Sequence, residues 1–309
     1  LTIDPFNATL SDLALACDKA VGPMEGGIAR LEISYRDIDK ENWTQLIDDN
    51  TFRHLLQKPT THGKQVLNIK LEVSKNARFS DFTDPDEALS KLGVDGKLED
   101  VPRFFPGTIN IPEHDRDFEH CIEDLKSKLR GIGDVLKNEQ SCREFISTVL
   151  LAAVLLVPGT RLDVETSVTG NEIQGRVDYS IFKGNRILVV CEAKASDMMK
   201  GTAMNLMQCN AALQQNTLKR KRVLEFDYIY GIITNAATWH YIRLTTEGEV
   251  HRMANTQFLP LATTAIGDDE KLRRSVKETL VTIAWMLQDL AQVGELSAKR
   301  QRFTKPELG

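Results

Sequence analysis

The stretch Val177-Asp178-Tyr179-Ser180-Ile181-Phe182-Lys183-Gly184-Asn185-Arg186-Ile187-Leu188-Val189-Val190-Cys191-Glu192-Ala193-Lys194 decides how this chain is read. Val177 to Phe182 and Ile187 to Ala193 are strand candidates, rich in β-branched and aromatic residues. Lys183, Gly184 and Asn185 between them make a turn short enough for an antiparallel hairpin. Side chains two apart on a strand share a face, so Glu192 and Lys194 point to the same side. Asp178 lies fourteen residues before Glu192, on the strand the hairpin places next door. Two carboxylates and one ammonium therefore converge. An isolated Glu-x-Lys more often marks a strand emerging into solvent, with a nearby Asp as a surface turn residue. A Lys closing an apolar strand is costly without carboxylate neighbours, and here it has two.

Working outward, Leu162 to Val168 is a strand candidate before the hairpin, set off from it by Gly170, Asn171 and Gly175. Ahead of that strand, apolar residues three or four apart, Phe118, Ile122, Leu125 and Leu129, predict a helix from Arg116. A second helix is expected from near Ser141, with Glu144 completing the sequence form of a capping box, until Pro158 and Gly159 stop it. After the hairpin a helix is expected from about Lys200 to Asn216, then strands over Tyr228 to Thr234 and Trp239 to Leu244. A long helix from Asp268 to about Leu296 closes the series. From that second helix onward the order is α, β, β, β, α, β, β, α, an α/β fold with a mixed central sheet flanked by helices.

Residues 1–105 read as a small α+β module, a candidate partner-binding or regulatory element. Its strands are expected over Ala29 to Tyr35 and Gln65 to Val73, with a helix from Glu41 to Leu56 between them. Pro85, Pro102, Pro106 and Pro112, among many Asp and Gly residues, are expected to break regular structure. The domain boundary is accordingly placed in a linker over residues 106–115. The second domain then spans 116–297, with a basic tail over 298–309.

Asp178, Glu192 and Lys194 suit phosphodiester hydrolysis. Hard carboxylate oxygens hold Mg²⁺ or Mn²⁺, which polarises a phosphate and acidifies a water, and an ammonium orients that water or stabilises charge developing on phosphorus. With Glu144 on the preceding helix and Gln208 on the following one, the element order resembles the PD-(D/E)XK nuclease superfamily over about residues 116–250. That resemblance implies a restriction-endonuclease-like α-β-β-β-α-β core. It also implies that Asp178, Glu192 and Lys194 are the catalytic trio, that Glu144 is the helical carboxylate near the metal, and that Gln208 is an auxiliary polar residue. Val177 stands where the superfamily's name-giving pattern has Pro. Cys142-Arg143-Glu144-Phe145-Ile146-Ser147, and Tyr230-Gly231-Ile232-Ile233-Thr234-Asn235 with Trp239, resemble the nuclease-type domains of Crinkler effectors. This narrower likeness implies an intracellular effector acting on DNA, before RNA, in a nucleus, that of a host cell included. From the residues alone Glu144 reads equally as ligand or cap, and Gln208 as a buried backbone-bonding Gln or a catalytic one. Glu165, with Asp163, alternates away from Leu162, Val164, Thr166 and Val168 onto a solvated face.

Composition narrows the alternatives. Of 309 residues, 41% are hydrophobic and 27% charged, near the averages for globular chains, so a mainly disordered or collagen-like chain is excluded. A net charge of -5 means that any surface for nucleic acid must be local. Lys219 to Arg222 is basic, as are Lys299, Arg300 and Arg302, whereas Asp81 to Asp100 is acidic. The first run reads as an import signal, a phosphate-contact patch or a solvated loop. The five cysteines form no Cys-x-x-Cys pair and the six histidines show no ligand spacing. The Gly22 to Gly27 segment lacks the Lys-Ser/Thr ending of a phosphate-binding loop. Phe145 to Val157 is too short an apolar run to cross about 30 Å of hydrocarbon, and no leader peptide or membrane association is expected. Without catalysis, the same fold would serve as a nucleic-acid-binding module, or as a scaffold for an interaction protein acting through residues 1–105.

Overall fold

The hairpin expected over Val177 to Ala193 lies inside the larger of two units, Leu1–Asn76 and Ala77–Gly309. The structure is a computed structural model and describes residues 31–37, 44–45, 67–73, 77–218, 228–264 and 268–303. In the first unit, β1 (Leu31–Asp37) pairs antiparallel with both β2 (Thr44–Gln45) and β3 (Leu67–Val73), in the order β2-β1-β3. Both strands expected there are present. Thr44 and Gln45, placed in a helix by periodicity, are strand instead, because they add a short edge to β1. The rest of that expected helix lies outside the described residues.

The second unit begins earlier than the proline count suggests. β4 (Ala77–Arg78) pairs with the central sheet, as does β5 (Arg103–Phe104), and between them stands α1 (Pro85–Lys91). The boundary therefore falls between residues 76 and 77, and residues 77–105, assigned to the first module, belong to the second unit. Pro85 does not break structure here. It occupies the first turn of α1 behind the cap Asp84, where a missing N–H costs nothing. Leu89 and Ala88 of α1 are fully buried.

From there the elements follow the expected order. They are α2 (Arg116–Gly131), α3 (Glu139–Leu155), β6 (Thr160–Thr169), β7 (Ile173–Lys183), β8 (Arg186–Ala193), α4 (Met198–Leu218), β9 (Tyr228–Thr234) and β10 (Thr238–Thr245). Two short strands follow, β11 (Val250–Met253) and β12 (Gln257–Phe258), before the long α5 (Asp269–Phe303). Part of the expected basic tail is thus the end of α5, and residues 304–309 lie outside the described set. The nine described strands of this unit, β4 to β12, form one sheet, with the path β4-β7-β8-β9-β10-β11-β5, β6 on β7 and β12 on β10. β6, β7 and β8 are an antiparallel meander, and β8 and β9 are parallel. Parallel neighbours need a long crossover, which α4 provides.

Helices cover both faces, so the unit is mixed α/β with a mixed central sheet. On one face α2, α3 and α5 bury Ile122, Phe145, Leu280 and Leu287 against Tyr179, Val189, Cys191, Ile232 and Trp239. On the other, α1 and α4 bury Leu89, Leu206 and Ala211 against Val177, Val190, Ile233 and Ile242. Burying such a Leu or Ile side chain contributes roughly 1.5–3 kcal/mol. With two covered faces, β8 and β9 read as continuous apolar runs rather than alternating ones. Among the described residues no helix is long and apolar enough to cross a membrane.

Candidate active site

Near the end of strand β8, Val190 and Glu192, with Lys194 just past its last residue, fall on one side by the strand's period of two. The backbone N–H of Lys194 donates to the Thr234 carbonyl of β9 (2.9 Å), which prolongs the pairing beyond the last ladder residue. Glu192 is 2% exposed, an expensive position for a carboxylate unless both oxygens are bonded. They are. Lys194 Nζ lies 2.6 Å from Oε1, and Gln208 Nε2 of α4 donates to Oε2 at 2.5 Å. Behind them Asn205 donates to the Gln208 Oε1 (3.4 Å) and to the Val190 carbonyl (3.1 Å), a continuous polar chain from the sheet into α4. Two glycines make room for it. A Cβ on Gly201 would meet Lys194 Cγ at 2.8 Å, and one on Gly231 would overlap Asn205 Oδ1.

Asp178 enters from β7. Its Oδ2 accepts from the Ala193 backbone N–H (2.7 Å), which ties it across the hairpin to the residue between Glu192 and Lys194. Its Oδ1 accepts from Arg143 Nη2 of α3 at 2.5 Å. Opposite Asp178 the β6–β7 ladder has no pair between Val164↔Tyr179 and Thr166↔Val177, and Glu165 there has a left-handed φ of 51°. Such local kinks in a ladder re-aim side chains. Here Glu165 turns to Arg143 (3.5 Å) and Arg176 (3.1 Å). Glu165 is exposed as expected, but it is ion-paired to the site rather than merely solvated.

Glu144 is not where the resemblance puts it. The cap of α3 is Asn138, whose side chain accepts from Ser141 N, so neither half of the expected capping box forms. The helix starts at Glu139, one turn before Glu144. Glu144 faces α2, its carboxylate 3.9 Å from Lys128 Nζ and 48% exposed. The helical carboxylate beside the trio is instead Glu139, 3.1 Å from Arg143 Nη2 and 4.0 Å from Lys194 Nζ. The spacing of four between Glu139 and Arg143 on one helix face was the available signal, and the capping-box reading of Ser141 and Glu144 obscured it.

Burial pushes the Asp178 carboxyl above its ordinary value despite the Ala193 N–H, Arg143 and Lys194, which pull it down. Burial likewise pushes Glu192 up, and Asp178 adds to that, against Lys194 and Gln208. Burial pulls the Lys194 ammonium down, but Glu192, Glu139 and Asp178 outweigh it and hold Lys194 protonated, above its ordinary value. The cations present thus undercompensate the buried Glu192 and the part-buried Asp178. Their donors are hard oxygens, which fits Mg²⁺ or Mn²⁺, ions held by one or two carboxylates with waters and phosphate making up the remainder. Among the described residues no group of three or more His, Cys, Asp or Glu is arranged to hold a metal ion by itself. Asp178, Glu192 and, more remotely, Glu139 are what the chain offers.

No model of a known protein family matches this chain, and no curated protein matches it. The Lys219 to Arg222 run lies outside the described residues.

Proposed function

We propose that the Ala77–Gly309 unit is a metal-dependent nuclease that hydrolyses phosphodiester bonds, DNA before RNA, on a PD-(D/E)XK type of core. The observation that carries this reading is the convergence of Asp178, Glu192 and Lys194 at the end of β8, with Glu192 at 2% exposure and Lys194 2.6 Å from it. A buried and a part-buried carboxylate, both held above their ordinary values next to a protonated Lys, are costly to keep and suit a catalytic role.

Asp178 and Glu192 would hold Mg²⁺ or Mn²⁺, which when bound polarises the scissile phosphate and makes an attacking water more acidic. The chain's own residues do the remainder. Gln208 fixes the Glu192 carboxylate through its inner oxygen, leaving the outer one directed at Lys194. The Ala193 N–H fixes Asp178 in the same way. Lys194, protonated and 16% exposed, orients the attacking water or stabilises negative charge on the phosphate. A cleavage assay with Mg²⁺ or Mn²⁺ on single- and double-stranded DNA and RNA tests this, run beside Lys194→Ala and Asp178→Ala. Activity unchanged in either variant removes the assignment.

A second reading, a binding module of the same fold without catalysis, is favoured by one observation. Every oxygen of Asp178 and Glu192 already has a donor within 2.7 Å. Nucleic-acid binding with no cleavage and no metal uptake would select it. Action in a nucleus and a protein partner for the first unit, Leu1–Asn76, are further parts of the proposal. Both are tested by imaging and affinity capture with and without that module.

A further inference from the structure

Arg143 has no part in the chemistry just described, yet it makes the shortest ion pair of the Asp178 side of the site. One guanidinium serves three carboxylates, Asp178 at 2.5 Å, Glu139 at 3.1 Å and Glu165 at 3.5 Å. Its Nε is buried without a hydrogen-bond partner, so the fork is drawn toward Asp178 at the expense of that nitrogen. The inner oxygen of Asp178 belongs to the Ala193 N–H, and Arg143 takes the other. A dication coordinated at about 2.1 Å by that oxygen would sit within about 4.6 Å of Nη2, where like charges repel strongly in a partly buried site.

Resting on the nuclease reading above, we infer that Arg143 is a displaceable counter-ion whose guanidinium must leave Asp178 before a divalent cation is held there. Lys194 caps Glu192 in the same manner, but its only other carboxylate neighbour at ion-pair distance among the described residues is Glu139, at 4.0 Å. Arg143 has two places to retreat to, since Glu139 lies one helical turn away on the same face and Glu165 is presented by the kink in β6 and steadied by Arg176. The kink at Glu165 thereby builds the acceptor that keeps a displaced guanidinium from stranding. Arg143 is 26% exposed, enough freedom to swing without crossing the core.

Calorimetric titration of the intact chain with Mn²⁺ alone, without nucleic acid, tests this by affinity rather than activity. Arg143→Met is expected to bind Mn²⁺ at least about tenfold more tightly than the natural chain, and Asp178→Ala to lose that binding. A folded Arg143→Met protein with equal or weaker affinity overturns the inference and leaves the nuclease reading standing. If neither protein takes up Mn²⁺, the nuclease reading fails and this inference fails with it. Should Arg143→Met lose its near-ultraviolet circular dichroism, Arg143→Gln decides. A Gln removes the charge and stays polar, so tighter binding than the natural chain supports displacement and equal or weaker binding overturns it.

Discussion

The two carboxylates of the site are held in contrasting ways. Glu192 is sealed, its inner oxygen on Gln208 and a polar chain running back through Asn205 to the Val190 carbonyl. Asp178 is 12% exposed, and its second oxygen is given to an arginine shared with Glu139 and Glu165, both on the surface. The sealed half is built from a strand and a helix packed by glycines, whereas the other half is closed by a movable side chain. The contrast separates a frame that sets position from a cover that has to shift, and each half can be broken separately.

The largest expected effect lies where the halves meet. Replacing Asp178 or Lys194 by alanine should reduce metal-dependent cleavage on the order of 10³-fold, as removal of a group that stabilises transition-state charge does. Circular dichroism should remain that of the folded chain. Next comes the sealed half. Gly231→Ala drives a Cβ into Asn205 Oδ1 and should lower unfolding stability by about 1–3 kcal/mol in urea titration. Gln208→Leu strands the inner oxygen of Glu192, and leaving a buried acceptor unsatisfied costs about 1–3 kcal/mol. On the open half, Glu165→Gln should change stability by less than about 1 kcal/mol, because the pairs it removes are half exposed. Equal losses from Gln208→Leu and Glu165→Gln would erase the distinction between the halves.

The pH dependence has opposite signs in two parts of the molecule. Asp178 and Glu192 are held above their ordinary values, so the folded chain keeps protons the unfolded chain has released. Their contribution to stability falls as pH rises from about 4, the ordinary carboxylate value, through their folded values. The hydrogen bond from Arg273 holds Glu119 below its ordinary value, so its contribution is present above that value and is lost as pH falls through the lowered one. Urea titrations across this range should show Glu192→Gln flattening the decline with rising pH and Glu119→Gln flattening the loss in acid. The second effect is the smaller, since Glu119 and Arg273 are each about a third exposed.

Much of this arrangement was legible in the residues because the hairpin is local. Val177 to Ala193 carries its own turn, its own period and its own carboxylates, and the strands formed within a few residues of their expected bounds. Periodicity also found α2, α4 and α5. What it missed depends on distant partners. Thr44 and Gln45 are strand only because β1 lies beside them, and β4 and β5 are two-residue strands that exist by pairing with β7 and β11. The prolines of residues 80–112 looked like a linker, yet Pro85 opens a helix whose leucine is buried in the second core. Glu139 and Arg143 were hidden because which face of α3 meets Asp178 depends on where the helix begins. Asn138 rather than Ser141 sets that start.

The central claim is that Asp178, Glu192 and Lys194 are one metal-dependent catalytic site, and a Mn²⁺-titrated cleavage assay on single- and double-stranded DNA and RNA tests it most directly. The account predicts cleavage that saturates with Mn²⁺, vanishes with chelator and is lost in Lys194→Ala while the fold persists. Cleavage that persists in Lys194→Ala, or a natural chain that binds these nucleic acids and never cuts them at any Mn²⁺ concentration, would contradict it.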